Sequence, residues 1–285
     1  MSARPDVSIV VPTRDRPGAL AVCLDALERQ TVPRVEIIVV DDASRDTAQV
    51  AAVVASAPRA RIVRGAGRGP AAARNAGAAA AQGRVICFTD DDCVPVPCWA
   101  AALAGRVGPH VAAAAGPTRN GRPGSAVAAA AQAVTNHLAE ATMDPVTGRL
   151  QFAPTSNLGC RADVCRRLPF DEGYPLAAGE DRDWCARLAR AGDVLVHEPT
   201  AVVHHHQELT LRTFWRQQVR YGRGAYRFHR GQGTLRRPAS AGFYASMVRR
   251  GAAEGGVRAA ALVCLAQAAT AVGMLREHRD VAGRR

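Results

Sequence analysis

The sequence contains no lysine, so all 37 of its basic residues are arginines. Together with the heavy use of alanine, this absence indicates a GC-rich coding bias, and the arginine count is therefore only partly a sign of function. Aromatic residues make up 5% of the chain, but hydrophobic residues reach 48% and suffice for a sizeable core. A chain of 285 residues has room for one large domain or two smaller ones.

Acidic residues are scarce in the last part of the chain. Residues 1–205 carry 22 arginines and 21 acidic residues, whereas residues 206–285 carry 15 arginines and 4 acidic residues. The net charge of +12 therefore belongs almost wholly to the C-terminal part. This asymmetry disfavours a surface that coats nucleic acid uniformly and indicates a near-neutral core with a basic appendage.

The eight cysteines form no C-x-x-C pair and have no zinc-finger spacing. Several fall inside apolar runs, which favours free thiols in a reducing cytoplasm. The first residues lead straight into an apolar run, without the h-region of a signal peptide. We therefore expect a cytoplasmic protein.

Two glycine-rich nucleotide motifs are also missing. The turn after the first apolar run, at 12–15, reads PTRD and lacks the glycines of a dinucleotide fingerprint. The later segment 65–70, GAGRGP, has proline where the third glycine is required. No G-x-x-x-x-G-K-[ST] motif is present, so we reject both an NAD site and a P-loop.

Short apolar runs alternate with helical patterns in the first 90 residues. The runs at 7–11, 35–40, 60–63 and 85–88 predict buried strands, and the segments between them predict helices. This alternation is typical of βαβ units and of a parallel sheet, so the predicted fold class is α/β.

Polar residues follow three of these strands. Asp90, Asp91 and Asp92 come directly after the fourth strand, Asp42 follows the second, and Thr13 follows the first. Parallel strands present their carboxyl ends at one edge, where open α/β sheets bind ligands. Adjacent carboxylates repel one another unless a positive group sits against them, and a divalent cation with a nucleotide diphosphate fits that need. Taken alone, the acidic run is equally typical of a solvated turn.

Five sequence blocks resemble the family 2 glycosyltransferases, which are inverting enzymes with the GT-A fold that use nucleotide sugars. The blocks are VSIVVPTRDR (7–16), VVDDAS (39–44), ARNAG (73–77), FTDDD (88–92) and GEDRD (179–183). They cover about residues 6–205 in the family's order. The resemblance implies a GT-A sheet flanked by helices and a Mn²⁺ or Mg²⁺ cofactor.

The resemblance also assigns roles to residues. It implies that Asp181 is the general base that takes the proton of the acceptor hydroxyl, and that Asp92 and His204 face the metal, with His205 as the rival of His204. The nucleotide-sugar site would comprise Thr13, Asp42, Arg74, Asp90 and Asp91. In it, Asp42 would form a hydrogen bond with the nucleotide base, which in this family is typically uracil.

Each of these residues also has a structural interpretation. Asp41 or Asp42 could cap the helix that follows, and Asp181 could be an acid that suits a helix dipole. Arg74 could be a solvated helix residue. His204 is as typical of a packed histidine as of a ligand.

The C-terminal part has a distinct pattern. Six arginines recur at helical spacing and predict one basic stripe with aromatic residues on the remaining surface; they are Arg212, Arg216, Arg220, Arg223, Arg227 and Arg230. Gly222 and Gly224 predict a weak point in this helix. The stripe is typical of a solvated face, and an interfacial helix on anionic lipid is the alternative. The apolar segment 259–275 is marginal for a membrane span and more typical of a packing helix.

We therefore predict a glycosyltransferase domain at 1–205, with a nucleotide-sugar half at 1–95 and an acceptor half at 96–205. Residues 206–285 form a basic helical extension. Peripheral contact of this extension with the anionic inner face of the cell membrane is the alternative to a solvated surface. The expected partners are a nucleotide-sugar donor and a hydroxyl acceptor. A basic nucleic-acid-binding protein is disfavoured by the near-neutral first part. A GT-A-like nucleotidyltransferase would need a glycine-rich basic loop after the first strand, which is absent.

Overall fold

The structure is a computed structural model that describes residues 4–174, 178–235 and 239–283. The strands are β1 (Val7–Thr13), β2 (Val35–Asp41), β3 (Ala60–Arg64), β4 (Val85–Phe88), β5 (Cys93–Pro95), β6 (Ala113–Ala115), β7 (Thr118–Asn120), β8 (Leu158–Arg161), β9 (Leu195–His197) and β10 (Val203–His205). The helices are α1 (Pro17–Glu28), α2 (Thr47–Ala55), α3 (Pro70–Ala80), α4 (Trp99–Arg106), α5 (Ala126–Glu140), α6 (Ala162–Arg167), α7 (Glu180–Arg190), α8 (Leu211–Gly231) and α9 (Ala241–Ala282).

The larger sheet has the strand order β3-β2-β1-β4-β8-β6-β9. Its first four strands are parallel, as the sequence predicts. Strand β8 runs antiparallel to both of its neighbours, and β6 and β9 pair in parallel. The predicted α/β sheet is therefore present, with the antiparallel strand β8 inserted between β4 and β6.

The core lies on both faces of this sheet, which explains why the strands read as continuous apolar runs. Val10 and Ile38 face α3 and α6, whereas Ile9 and Ile37 face α1 and α4. Helix α1 begins with a proline in its first turn, where no backbone donor is needed, and buries Leu20, Leu24 and Leu27. The polar ends of β1, β2 and β4 consequently meet at one edge.

The ARNAG segment fixes α3 to its surroundings. A Cβ atom on Gly77 would lie 2.3 Å from Val10 Cγ1, so only glycine lets the helix approach β1 this closely. Asn75 accepts a hydrogen bond from the backbone N–H of Phe170 at 2.8 Å and donates to its carbonyl oxygen at 2.9 Å. This segment therefore connects the first half of the sheet to the loop before α7.

A second sheet of three strands has the order β5-β10-β7. In it, His205 is paired with Cys93 and His204 with Val94. Because β5 follows directly after Asp92, this register brings the end of β10 to the acidic run.

Helix α8 is continuous through Gly222 and Gly224, so the predicted weak point does not interrupt it. These glycines instead permit close contacts. A Cβ atom at position 222 would lie 2.0 Å from the carbonyl oxygen of Thr270, and one at position 224 would lie 2.2 Å from that of Ala178. Gly273 makes the reciprocal contact, since its Cβ would lie 2.0 Å from the carbonyl oxygen of Val219. Helices α8 and α9 therefore pack backbone to backbone.

The predicted basic stripe is divided among three environments. Arg223 and Arg227 form ion pairs with the buried Glu277 on α9. Arg220 faces an internal cavity, whereas Arg212 and Arg216 are exposed. The expectation of one continuous solvated face is therefore wrong, because α9 covers part of it.

Helix α9 is kinked at Gly255 and Gly256, where the backbone dihedral angles are not helical. Its most apolar 18-residue window has a mean hydropathy of 1.6, and 28% of that window is buried. By length and composition, this helix could cross a membrane. In the structure its inner side packs on α5 and α8 through Val263 and Ala266.

Candidate active site

The carboxyl ends of β1, β2 and β4 open into a cavity of about 1770 Å³. Its lining includes the following sequence-predicted residues: Thr13, Asp42, Arg74, Asp90, Asp91, Asp92 and Asp181. It also includes residues of α5, α8 and α9, so the C-terminal part contributes one of its walls. The aligned carboxyl ends of the parallel strands thus bring together side chains that lie far apart in the sequence.

Asp91 is the most buried residue of the acidic run. Its Oδ2 accepts a hydrogen bond from Thr13 Oγ1 at 2.7 Å, and its Oδ1 lies 2.9 Å from Arg16 Nη1. Burial raises the pKa of Asp91 to about 7 despite the nearby guanidinium. Thr13 and Asp91 therefore hold each other in the wall of the cavity.

Asp92 lies between two positive groups. Arg16 Nη2 donates to Asp92 Oδ2 at 2.6 Å, and His205 Nε2 lies 3.1 Å from Asp92 Oδ1. Burial favours the neutral acid, but His205 and Arg16 outweigh it and hold the pKa of Asp92 well below its usual range. The same contact raises the pKa of His205 against the effect of its burial.

Of the two rival histidines, the structure places His205 at the acidic run. His204 precedes it in β10, does not line the cavity, and has no contact with Asp92 among the described residues. Neighbouring residues of a strand point to opposite faces, so only one of the two can turn towards Asp92. The assignment of the metal-facing role to His204 is therefore not supported by this geometry, which favours His205 for that role.

The side chains around Asp92 fit a hard divalent cation. The ligand atoms of Asp92, Cys93 and His205 lie within 4.8 Å of one another. Burial raises the pKa of the Cys93 thiol well above its usual range, so this sulfur stays protonated and is a weak ligand. A carboxylate and an imidazole remain, which suit Mn²⁺ or Mg²⁺ better than a soft metal.

Arg74 connects the acidic run after β4 to α7. Its Nη2 donates to Asp90 Oδ1 at 2.9 Å, and its Nη1 donates to Glu180 Oε1 at 3.1 Å. Burial opposes the charge, yet these two carboxylates raise the pKa of Arg74. Its Nε is buried without a partner among the described residues. Arg74 is therefore not a solvated helix residue.

Asp181 lies in the first turn of α7. Gly179 precedes this helix with a φ of 94°, in the left-handed region that favours glycine. Asp181 Oδ1 accepts only the backbone N–H of Arg182, at 2.8 Å, among the described residues. Burial and the neighbouring Glu180 carboxylate raise the pKa of Asp181 to about 7. A carboxyl group with this pKa can exchange a proton near neutral pH.

Asp41, the last residue of β2, and Asp42, which follows it, have different environments. Asp41 accepts from the backbone N–H of Ser44 at 3.0 Å and forms an ion pair with Arg64. Asp42 lines the cavity, and its Oδ2 accepts from the backbone N–H of Gly69 at 2.8 Å. Its Oδ1 is buried without a partner among the described residues. Helix α2 is capped by Asp46, so neither Asp41 nor Asp42 is its N-cap.

Sequence reasoning missed several residues of this site. Arg16 neutralises Asp91 and Asp92, and Glu180 forms an ion pair with Arg74, although both residues lie within segments that the resemblance covers. Arg220 and Tyr221 of α8 line the cavity near Asp181, and burial raises the pKa of Tyr221 to about 12. The arginine spacing identified the helix but not the side that faces the cavity.

Solved structures with the same architecture share this arrangement of sheet and helices. A mannosyltransferase from Pyrobaculum calidifontis, solved with GDP-mannose and Mn²⁺, matches 98% of this chain and 88% of its own, with a TM-score of 0.64 and 19% identity. Glucosyl-3-phosphoglycerate synthase from Mycobacterium tuberculosis, solved with Mn²⁺, UDP and glucosyl-3-phosphoglycerate, matches 84% of this chain and 82% of its own, with a TM-score of 0.57 and 20% identity. The fold is therefore the GT-A fold, as expected.

The sequence comparisons define the family. The profile described as Glycosyl transferase family 2 matches residues 8–168. A pre-mycofactocin glycosyltransferase from Mycobacterium tuberculosis is 30% identical over 227 residues, which are 77% of this chain and 47% of that protein. Glycosyltransferase AglE from Haloferax volcanii is 27% identical over 78% of this chain and 74% of its own. The chain spans about half the length of the first of these relatives.

This chain belongs to glycosyltransferase family 2. The expectation of a divalent metal agrees with the Mn²⁺ in the two solved structures and with the ligand atoms around Asp92.

Proposed function

We propose that this chain transfers a sugar from a nucleotide-diphosphate sugar, in the first instance a UDP-sugar, to a hydroxyl group of an acceptor with inversion at the anomeric carbon. One observation carries the proposal: the acidic run after β4 and the carboxylate of Asp181 line the same cavity, and Arg74 bridges their two segments. A donor held by the first group would thus present its sugar to the second.

The donor would lie along the ends of β1, β2 and β4. Asp42 would accept an N–H of the base through its unpaired Oδ1, while Thr13 and Asp91 form the pocket wall. Asp90, positioned by Arg74, would face the ribose and the sugar. Asp92 and His205 would hold a divalent cation, which supplies charge stabilisation for the leaving diphosphate when it is bound.

The transfer would be a single displacement. Asp181 accepts the proton of the acceptor hydroxyl, and that oxygen attacks the anomeric carbon from the face opposite the diphosphate. The bond between the anomeric carbon and the diphosphate oxygen breaks, and the nucleoside diphosphate leaves with the electron pair. Attack from the opposite face inverts the configuration.

A panel of nucleotide sugars with Mn²⁺ or Mg²⁺, scored by release of nucleoside diphosphate, tests this proposal. We expect turnover with at least one UDP-sugar and loss of turnover after chelation. The matched control is Asp92→Ala, which removes the metal ligand but leaves the pocket for the base. Absence of both turnover and UDP binding across the panel would contradict the proposal.

We keep the division of the chain into 1–205 and 206–285, with 1–95 as the donor half and 96–205 as the acceptor half, as part of this proposal. Residues 206–285 supply a wall of the cavity, so we do not propose that they act as a separate appendage.

We further propose that the outer face of α9 rests on anionic lipid, which would place the protein peripherally on the inner face of the cell membrane. Val257, Leu265 and Leu275 are exposed on this helix, Val257 by 84% and Leu275 by 61%. Arg258 and Arg276 lie next to this apolar face, and residues 206–285 carry 15 arginines against 4 acidic residues. An apolar stripe with arginines beside it suits a headgroup interface.

Co-sedimentation with liposomes tests this contact. We expect the intact protein to bind vesicles that contain anionic lipid, and Leu265→Glu with Leu275→Glu to release it. Binding to neutral vesicles alone, or a dimer in solution that the same pair of substitutions dissociates, would contradict lipid as the occupant.

A further inference from the structure

The cavity is larger than a donor requires. A pocket for one small molecule measures about 300–1,000 Å³, whereas this cavity measures about 1770 Å³. The additional space lies between helices α5, α8 and α9, and apolar side chains line it. They are Val134, Leu138, Phe243, Met247 and Met274.

Three arginines of the cavity have no carboxylate partner among the described residues, namely Arg14, Arg182 and Arg220. Arg16, Arg74 and Arg122 also line the cavity, but each lies within 4.0 Å of an acidic side chain. Arg182 and Arg220 form no such ion pair and donate no side-chain hydrogen bond to a described residue. Arg14 is exposed just after β1, whereas Arg182 and Arg220 are half-buried in the cavity wall.

The environments of these two guanidinium groups favour an anionic ligand. Arg182 stacks over the ring of Phe228 at 4.7 Å, and burial lowers its pKa. Arg220 Nε is buried without a partner among the described residues. A buried charge or polar group is costly unless it is paired, and both arginines keep other N–H groups for a ligand in the cavity.

Both arginines lie on the side of the general base. Arg182 follows Asp181 directly, and Tyr221, next to Arg220, is close enough to Asp181 for that carboxylate to raise its pKa. The proposed pocket for the nucleotide base is formed by other segments, at Asp42 after β2 and Gly69 before α3. The anionic group that these arginines would bind is therefore adjacent to the position of the acceptor hydroxyl.

Given the proposed glycosyl transfer, on which this step rests, we infer that the acceptor is an amphiphilic alcohol. Its anionic group, a phosphate or a carboxylate, binds Arg182 and Arg220, and its apolar portion lies between α5, α8 and α9. Its hydroxyl group points towards Asp181.

Binding of simple probes tests the inference. Octyl phosphate, inorganic phosphate and octyl glucoside are titrated calorimetrically into the protein saturated with UDP and Mn²⁺. We expect octyl phosphate to bind at least about tenfold more tightly than either of the other two, because only this probe has both the charge and the chain. A parallel titration with octanoate shows whether the site prefers a carboxylate or a phosphate group.

Two sets of variants assign the contacts. Arg182→Gln and Arg220→Gln should each weaken the binding of octyl phosphate about tenfold or more. The matched control is Arg216→Gln, whose side chain is exposed one turn earlier on α8 and whose loss should not change this affinity. Met274→Gln should weaken octyl phosphate but not inorganic phosphate. Its control is Ala271→Gln, on the exposed side of the same helix.

Three results would overturn the inference. Octyl phosphate could bind no more tightly than octyl glucoside, inorganic phosphate could bind as tightly as octyl phosphate, or both arginine variants could weaken UDP as strongly as octyl phosphate. The last result would assign the arginines to the donor diphosphate. If UDP does not bind in the presence of Mn²⁺, the proposed function fails instead, and the same titrations without UDP then show whether the cavity binds an amphiphilic anion.

Discussion

His205 Nε2 lies 3.1 Å from Asp92 Oδ1, at the point where two separate sheet edges meet. Asp92 ends the turn after β4, and His205 ends β10 of the smaller sheet. Two residues more than 100 positions apart thus bring together a carboxylate oxygen and an imidazole nitrogen that could hold a metal ion.

His205→Ala should weaken Mn²⁺-dependent binding of UDP about tenfold or more, because the cation loses its imidazole ligand. His204→Ala is the matched control, since this side chain does not line the cavity, and we expect less than a twofold effect. Calorimetry with UDP, with and without Mn²⁺, measures both. A larger loss in the His204 variant would restore the assignment made from the sequence.

Asp181→Asn should lower turnover by a factor of about 10² to 10⁴, because the amide cannot accept the proton of the acceptor hydroxyl. The affinity for UDP should stay within a factor of about two. Asp183→Asn is the control, since Asp183 is paired with Arg187 on the outer part of α7. Turnover near the wild-type rate in the Asp181 variant would exclude this residue as the base.

The activity should depend on pH through Asp181, whose pKa is raised to about 7 by burial and by Glu180. A raised pKa means that the carboxyl group is mostly protonated, and inactive as a base, below neutral pH. We therefore expect kcat/KM to rise about tenfold per pH unit up to pH ~7 and then to level off. Glu180→Gln removes the neighbouring charge and should move the rise to lower pH. A profile that is flat across the acidic range would contradict this assignment.

Asp42→Asn should weaken the binding of UDP about tenfold or more. The carboxylate offers two acceptor oxygens to an N–H group of the nucleotide base, and the amide replaces one of them with an NH₂ donor. The discrimination between UDP and CDP should fall as well. Asp46→Asn, at the cap of α2, is the control and should leave nucleotide affinity unchanged. Equal affinity of the wild-type protein for all nucleoside diphosphates would show that Asp42 does not select the base.

Gly273→Ala should destabilise the fold by about 1–3 kcal/mol, because the added methyl group meets the carbonyl oxygen of Val219 in the contact between α8 and α9. Gly231→Ala is the control, since nothing lies within 4 Å of its added Cβ among the described residues. Urea unfolding of both variants measures the difference. Equal stability of the two variants would show that the helices can separate at little cost.

The convergence of the strand ends on one cavity could be predicted from the sequence because its signals are local. A strand that is buried on both faces reads as a continuous apolar run, and the polar residue that follows it must lie at the sheet edge. Thr13, Asp42 and the acidic run could therefore be placed together before any contact was known. The face of a short strand is a weaker signal, since a shift of one residue exchanges the two faces. This is why His204 and His205 could not be separated.

Partners that lie far away in the sequence could not be predicted. Arg16 meets Asp91 and Asp92 across 75 or more residues, and Arg223 meets Glu277 across 54. Gly222 lowers helix propensity, but the close approach of α9 outweighs that local preference. Helix α4 was not predicted, because its short alanine-rich pattern carries little periodicity.

The guanidinium of Arg16, which bridges Asp91 and Asp92, has a consequence for how the folded state depends on its cofactor. A site made of carboxylates alone needs an ion to hold it together, and such proteins unfold when a chelator removes the ion. Here the chain supplies its own counter-charge to the acidic run. The fold should therefore persist in EDTA with little change in Tm. The cation would then exchange with solvent without unfolding the protein, and it would not be a structural component of the fold.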